Sequence, residues 1–234
     1  MRSPKTVARI AGLLYLLPFG AAFNEGYVLP RVVKPGDEAA TANSIRASAT
    51  LFRLGVFGDL TAGGPWLLLA MALYLLLRDV NRLAAAAMVT FAAAGAGIQV
   101  QNQLNQYTAL TVATDAGYPR TLGTSGSDAL TLLLVDMQHN GYVIDTLFFG
   151  LWLLPLGHLV VRSGYFPKAL GVLVAVAGCG YLADLISVFL TPDISDRVWQ
   201  FATAPAAAAG ELTFLLWLLI KGIRIPPTTP SLPA

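Results

Sequence analysis

Six carboxylic acids stand inside stretches of this sequence that are otherwise apolar: Glu25, Asp59, Asp136, Asp145, Asp184 and Glu211. At the centre of a lipid bilayer each would cost about 2.5–3.5 kcal/mol on insertion scales. Such a group faces a bundle interior or a water-filled cavity. It is protonated, paired, solvated near the boundary or neutralised by a bound cation. The chemistry within reach is proton donation and acceptance, or cation ligation. Glu211 ends the run Thr203-Ala-Pro-Ala-Ala-Ala-Ala-Gly-Glu211. Pro205 there frees backbone hydrogen-bonding capacity, and the small residues admit another helix or a ligand. A protonated Glu beside a cavity donates a proton or coordinates a cation; the plain alternative is an interhelical hydrogen bond.

Other polar residues keep company with these acids. Asp136, Gln138, His139, Asn140 and Asp145 fall within ten residues. One His among carboxylates could act as acid and base or hold a divalent cation, although Asp-x-x-His is a common spacing. Gln99, Asn102 and Gln106 share one helical face at i, i+3, i+7, and Gln101, Gln103 and Asn105 widen it. This is either a cavity wall that binds polar groups or the extramembrane end of a long helix. Asp184 follows Tyr181 at i+3. Arg53 is the natural cationic partner for Asp59, Glu25 or Asp136, with a structural salt bridge as its simplest role. His158 reads as a snorkelling or helix-end group. There is one cysteine, Cys179, flanked by glycines, which fits a small packing residue. Two His and one Cys supply no zinc spacing, and no P-loop, nucleotide-binding glycine pattern or nucleophile elbow is present.

The elements that carry these residues can be read from composition. The chain has 234 residues, of which 56% are hydrophobic and 12% charged, and its mean hydropathy is +0.64. The charged share is about half that of a soluble domain. This excludes disorder and a nucleic-acid-binding surface. A hydrocarbon core of ~30 Å needs ~20 helical residues. Six stretches qualify: about 7–29, 51–77, 83–112, 130–161, 169–190 and 199–223. The expected fold is all-α, a polytopic transmembrane bundle of six helices forming a single domain over 1–225. The segments Pro30–Arg46, Thr114–Asp128 and Thr191–Asp196 read as loops from their Pro, Gly and Asp content. The tail 226–234 is proline-rich and reads as extended. The first stretch also resembles a secretory signal, but Glu25 just beyond its apolar core matches the other helices and favours retention. No internal repeat of the kind found in many secondary transporters is evident.

Nine basic residues fall on the side that holds both termini: Arg2, Lys5, Arg9, Arg78, Arg82, Arg162, Lys168, Lys221 and Arg224. Six fall on the other: Arg31, Lys34, Arg46, Arg53, Arg120 and Arg197. The positive-inside rule therefore puts both ends in the cytoplasm. Measured from the basic residue at each cytoplasmic end, Glu25, Asp59, Gln99, Asp145 and Asp184 lie ~24–29 Å up their helices and Glu211 ~15 Å up. The expectation is an outward-facing polar cavity with a dry floor near Glu211.

Several phrases carry a family resemblance. They are Arg9-Ile-Ala-Gly-Leu-Leu-Tyr15, Phe148-Phe-Gly-Leu-Trp-Leu-Leu-Pro-Leu-Gly157, Val161-Arg-Ser-Gly-Tyr-Phe-Pro-Lys168, Gly178-Cys-Gly-Tyr-Leu-Ala-Asp184 and Gly210-Glu-Leu-Thr-Phe-Leu-Leu-Trp-Leu-Leu-Ile-Lys-Gly222. The chain resembles the bacterial membrane-protein family called domain of unknown function 4386, over most of Arg9 to Arg224. The resemblance implies a multi-pass protein of the bacterial inner membrane and adds weight to His139, Asp184 and Glu211. It supplies no activity.

Three functional readings fit these residues. The first is an intramembrane enzyme that protonates, isomerises or cyclises a small apolar substrate such as a lipid or isoprenoid. Glu211 would be the donor, Asp184 and Asp145 would set its charge or stabilise a developing cation, and His139 would shuttle protons. Glu25, Arg53, Asp59, Gln99, Asn102, Tyr142, Trp152 and Tyr181 would bind substrate, with Trp66 and Phe149 adding aromatic faces. The second is a cation- or proton-coupled transporter or binding protein using the same acids. The third is a sensor or partner subunit. Membrane lipids are the expected surroundings. No organic cofactor or nucleic acid is called for, and a divalent cation stays open.

Overall fold

The computed structural model describes residues 3–224, and every regular element among them is helical. In chain order they are α1 (Pro4–Val32), α2 (Glu38–Ala47), α3 (Ala49–Leu77), α4 (Arg82–Thr114), α5 (Gly117–Ser163), α6 (Lys168–Leu190) and α7 (Pro192–Ile220). All but α2 are long and apolar enough to cross a membrane. The proline-rich tail 226–234 lies outside the described residues.

The six spans fall where hydropathy places them, but three segments expected as loops are partly helical. Residues that read as turn formers act there as helix starters. Asp37 accepts a hydrogen bond from the Ala40 amide at 2.8 Å and caps α2. Asp115 accepts one from the Gly117 amide at 2.7 Å at the head of α5. Pro192 occupies the first turn of α7, where its missing N–H costs nothing. The early part of α5 is set off from its long span by Gly123, whose φ of 74° and ψ of 162° are non-helical and suit glycine alone.

Two spans depart from regular α geometry at their polar residues. In α1, Pro18 offers no N–H, and the chain answers with tight bonds from Gly20 to Leu17 (2.9 Å) and Ala21 to Pro18 (3.1 Å). A π-helical turn then covers Asn24–Val28. In α7, π turns cover Trp199–Thr203 and Ala208–Leu212, the latter holding Glu211. A π turn inserts a residue and rotates the rest of the helix by about 100°.

The chain divides into two compact units, to both of which α1, α3, α4 and α5 contribute. Among the described residues the first holds 3–13, 69–90 and 150–224. Its interior is apolar, with Leu69, Leu73, Leu77, Met88, Leu153, Leu156, Leu159 and Leu218 fully buried. Phe166 and Phe214 meet at 5.4 Å between ring centres. In this unit α5 and α6 approach backbone to backbone. A Cβ placed on Gly171 would stand 2.7 Å from the Gly157 carbonyl oxygen and 2.7 Å from the Val161 amide nitrogen. In lipid, where apolar burial gives little drive, such close approach is what holds helices together.

The second unit holds residues 14–68 and 91–149. Val28, Val32, Ile45, Phe52, Val56, Ala109 and Leu110 form its apolar cluster. Beside it Arg46 pairs with Asp128 at 3.0 Å and reaches the Ala113 carbonyl at 3.4 Å.

Replacing Gly171 with Ile should destabilise the protein by about 1–3 kcal/mol through overpacking. Denaturation in mixed detergent micelles measures this. Gly164→Ala, at a turn with φ of 69° and open space, serves as a comparison for backbone strain alone.

Candidate functional site

The second unit carries a buried polar network built on neutral amides. At its centre is Asp59 on α3, 2% exposed. Its Oδ2 accepts from Asn24 Nδ2 and from Gln103 Nε2, the latter at 2.9 Å. Its Oδ1 accepts from Gln99 Nε2 at 3.4 Å. Asn24 and Gln106 exchange amide bonds, Asn24 Nδ2 to Gln106 Oε1 at 2.9 Å and Gln106 Nε2 to Asn24 Oδ1 at 3.0 Å. Gln99, Gln103 and Gln106 lie on one face of α4 at i, i+4, i+7, so one stripe serves the whole cluster. Asn24 fits because residue 55 of α3 is glycine; a Cβ there would collide with Asn24 Oδ1.

Two further acids flank this centre. Glu25 accepts from Gln138 Nε2 at 2.7 Å. Asp145 on α5 is 2% exposed, and neither of its oxygens meets a hydrogen-bond donor among the described residues. Asn102 turns away from this centre, donating to the Gln138 carbonyl at 2.7 Å and accepting from Asn105 at 3.1 Å. Nearby aromatic rings form a chain: Trp66 to Phe149 at 5.0 Å and Tyr142 to Phe149 at 6.0 Å.

The first unit holds a smaller pair. Tyr181 on α6 donates its hydroxyl to Glu211 Oε1 on α7 at 2.8 Å, so the plain interhelical hydrogen bond open to Glu211 is present. Asp184 is buried on α6, and its carbonyl accepts from Ser187. Trp152 is buried in the same unit.

The residues singled out in the sequence therefore separate. Asp145, His139, Glu25, Asp59, Gln99, Asn102 and Tyr142 belong to one unit, and Glu211, Asp184, Trp152 and Tyr181 to the other. His139 is exposed on the outside of α5 together with Asp136 and Asn140. Arg53 is exposed as well; the ion pair of this unit is made by half-buried Arg46 and buried Asp128 instead. The amide run of α4 is neither an open wall nor an extramembrane end in its greater part, since Gln99, Asn102, Gln103 and Gln106 are buried in interhelical bonds. Sequence reasoning misses Asn24, which is uncharged and drops out of any charge count. Its signal is its place beside Glu25 in an apolar stretch. Among the described residues no three of His, Cys, Asp and Glu converge as metal ligands.

Buried acids and amides inside, with Leu13, Phe57, Leu104, Leu133, Phe189 and Leu216 exposed outside, one from each long helix, invert the soluble pattern. This defines a multi-pass α-helical membrane protein. The chain belongs to the family described as domain of unknown function (DUF4386), which matches residues 10–222. It is also similar to an uncharacterised protein of Archaeoglobus fulgidus, 38% identical over 85 residues, which are 36% of this chain and 46% of that protein. The chain thus matches less than half the length of that relative. No solved structure matches.

Asn24→Leu should strand Gln106 and remove one donor from Asp59, at a cost of about 1–3 kcal/mol. Gly55→Ala should weaken the protein in the same direction, since the added methyl occupies the place of Asn24 Oδ1. Detergent-micelle unfolding of both variants checks this, and wild-type stability in Asn24→Leu would contradict the network's role.

Proposed function

We propose that this is a multi-pass protein of the cytoplasmic membrane, both ends inside the cell, that binds and releases protons on Glu25, Asp59 and Asp145 in support of solute binding or transport. The observation that carries this reading is the bare carboxyl of Asp145. A structural acid in lipid is bonded or paired, because an unsatisfied charge in a dry interior costs several kcal/mol. Asp145 has neither a donor nor a cation among the described residues. Asp59 itself is served only by neutral amides. A group of acids arranged this way is electrically acceptable when it carries protons, and exchanging them is the work such sites perform in membrane proteins. The excess of Lys and Arg on the terminal side supports the orientation.

The Tyr181–Glu211 pair favours a second reading: acid–base chemistry on a lipid or isoprenoid. Glu211 sits in a π turn, a feature often met at functional sites. There a phenol and a carboxyl at 2.8 Å could pass a proton to an apolar substrate, with Asp184 nearby in sequence on α6. Native mass spectrometry of wild type and Glu211→Gln tests this second reading: an acid catalyst keeps a bound lipid-sized mass in the variant, and a small cation bound to wild type and lost in the variant would contradict it.

The first reading is tested in liposomes loaded with a pH-sensitive dye and driven by a potassium diffusion potential. Wild type should admit protons faster than empty vesicles, and Asp145→Asn should slow that flux at least about tenfold, a barrier change of ~1.4 kcal/mol. Equal flux in wild type and Asp145→Asn would overturn it.

A further inference from the structure

Cations of the first unit gather at one end of it. Lys5 and Arg9 lie one turn apart on α1, Arg162 and Lys168 flank the turn from α5 to α6, and Lys221 and Arg224 follow α7. All six are exposed. None makes an ion pair among the described residues, and no Asp or Glu occurs within 3–13, 150–183 or 212–224.

The fold holds these three segments together. α1 and α7 pack so closely that a Cβ on Gly12 would stand 3.0 Å from the Leu219 amide nitrogen. The chain then turns at Gly222, φ 65°, where an added Cβ would lie 3.9 Å from the Lys5 carbonyl oxygen. Gly222 and Ile223 are buried, so the turn stays on the body of the unit. Beyond it the Arg224 amide donates to the Tyr165 carbonyl at 2.9 Å, which brings Arg224 to the turn carrying Arg162 and Lys168. The positive-inside rule explains on which side of a membrane such residues lie. It does not explain backbone contacts that draw like charges together, which costs energy unless an anion joins them.

Arg224 is prepared for that anion. Its guanidinium lies over the Trp217 ring, 5.4 Å from the ring centre. The ring takes one face of the guanidinium and leaves the N–H edge, which grips a phosphate through two parallel bonds. On the preceding turns of α7, Leu216 and Ile220 are exposed at 52% and 65%. A tryptophan and basic residues closing an apolar span mark the head-group level of a bilayer. The phosphate-binding edge therefore adjoins a surface made for acyl chains.

We infer that this end of the first unit binds an anionic phospholipid of the adjoining leaflet. Arg224 holds the phosphate, Lys5 and the Arg162–Lys168 turn surround it, and the acyl chains lie along Leu216 and Ile220. In the orientation proposed above this is the cytoplasmic leaflet. Such binding is independent of proton exchange by the acids of the second unit.

The test is native mass spectrometry of the full chain in neutral detergent, titrated with dioleoyl phosphatidylglycerol or dioleoyl phosphatidylcholine. Phosphatidylglycerol should bind at least about tenfold more tightly. Arg224→Gln should weaken it about fivefold, and Arg224→Gln with Lys5→Gln about 25-fold, the worth of one and two basic residues at an anionic surface. Arg31→Gln, which removes an exposed cation at the far end of α1, should leave the affinity unchanged. Millimolar inorganic phosphate should not displace the lipid. Equal affinity for the two lipids, wild-type affinity in the double variant, or the same loss in Arg31→Gln would overturn the inference. Displacement by inorganic phosphate would overturn it too, by showing a site for free anions.

Discussion

Carboxyl groups without cations, placed in a low-dielectric interior, are the constraint from which the second unit is built. Water and arginine are the usual remedies for a buried acid. Here the remedy is the neutral side-chain amide. Asp59 gathers three amide donors from two helices. Asn24 and Gln106 close on each other so that no amide group of the pair is wasted. Gly55 exists where it does because Asn24 must pass close to α3. The π turn of α1 presents Asn24 and Glu25 in succession to different partners, one towards Asp59 and the other to Gln138. Removing the acid would leave Gln99 and Gln103 without the acceptor they donate to.

Much of this was legible from the residues. Six long apolar stretches define six spans, while the crowd of amides on α4 fits a cavity wall or an extramembrane end equally well and turns out to be an interhelical network. The pairing was not legible, and the reason is geometric. Helical periodicity assigns residues to faces only while the helix stays regular. Pro18, the π turn at Asn24–Val28 and the break at Gly123 each reset the rotation of the residues beyond them. α4 itself is regular throughout, and on it Asn102 and Gln103 both fall near the face of Gln99 and Gln106, so periodicity alone does not choose between them. Capping is the other blind spot. Asp37, Asp115 and Pro192 look like loop residues in a sequence, yet each begins a helix by satisfying or omitting an amide that helices leave unpaired. Arg53 shows the limit of charge arithmetic. It is the obvious cation for the acids, but the ion pair of this unit is made by Arg46, whose position on α2 depends on a helix that the sequence did not announce.

The network also explains why the acids are unequal. Asp59 is embedded in donors, Glu25 has one, and Asp145 has none among the described residues.

Everything proposed for the acids turns on whether Asp145 carries a proton that it can give up. Infrared difference spectroscopy of the protein in lipid, recorded between acidic and alkaline pH, reads that proton directly through the carbonyl stretch of a protonated carboxyl. The expected wild-type difference spectrum contains, beside the bands of the other acids, a carboxylic-acid component lost at alkaline pH that Asp145→Asn lacks. An Asp145→Asn spectrum identical to wild type would show that Asp145 holds no exchangeable proton.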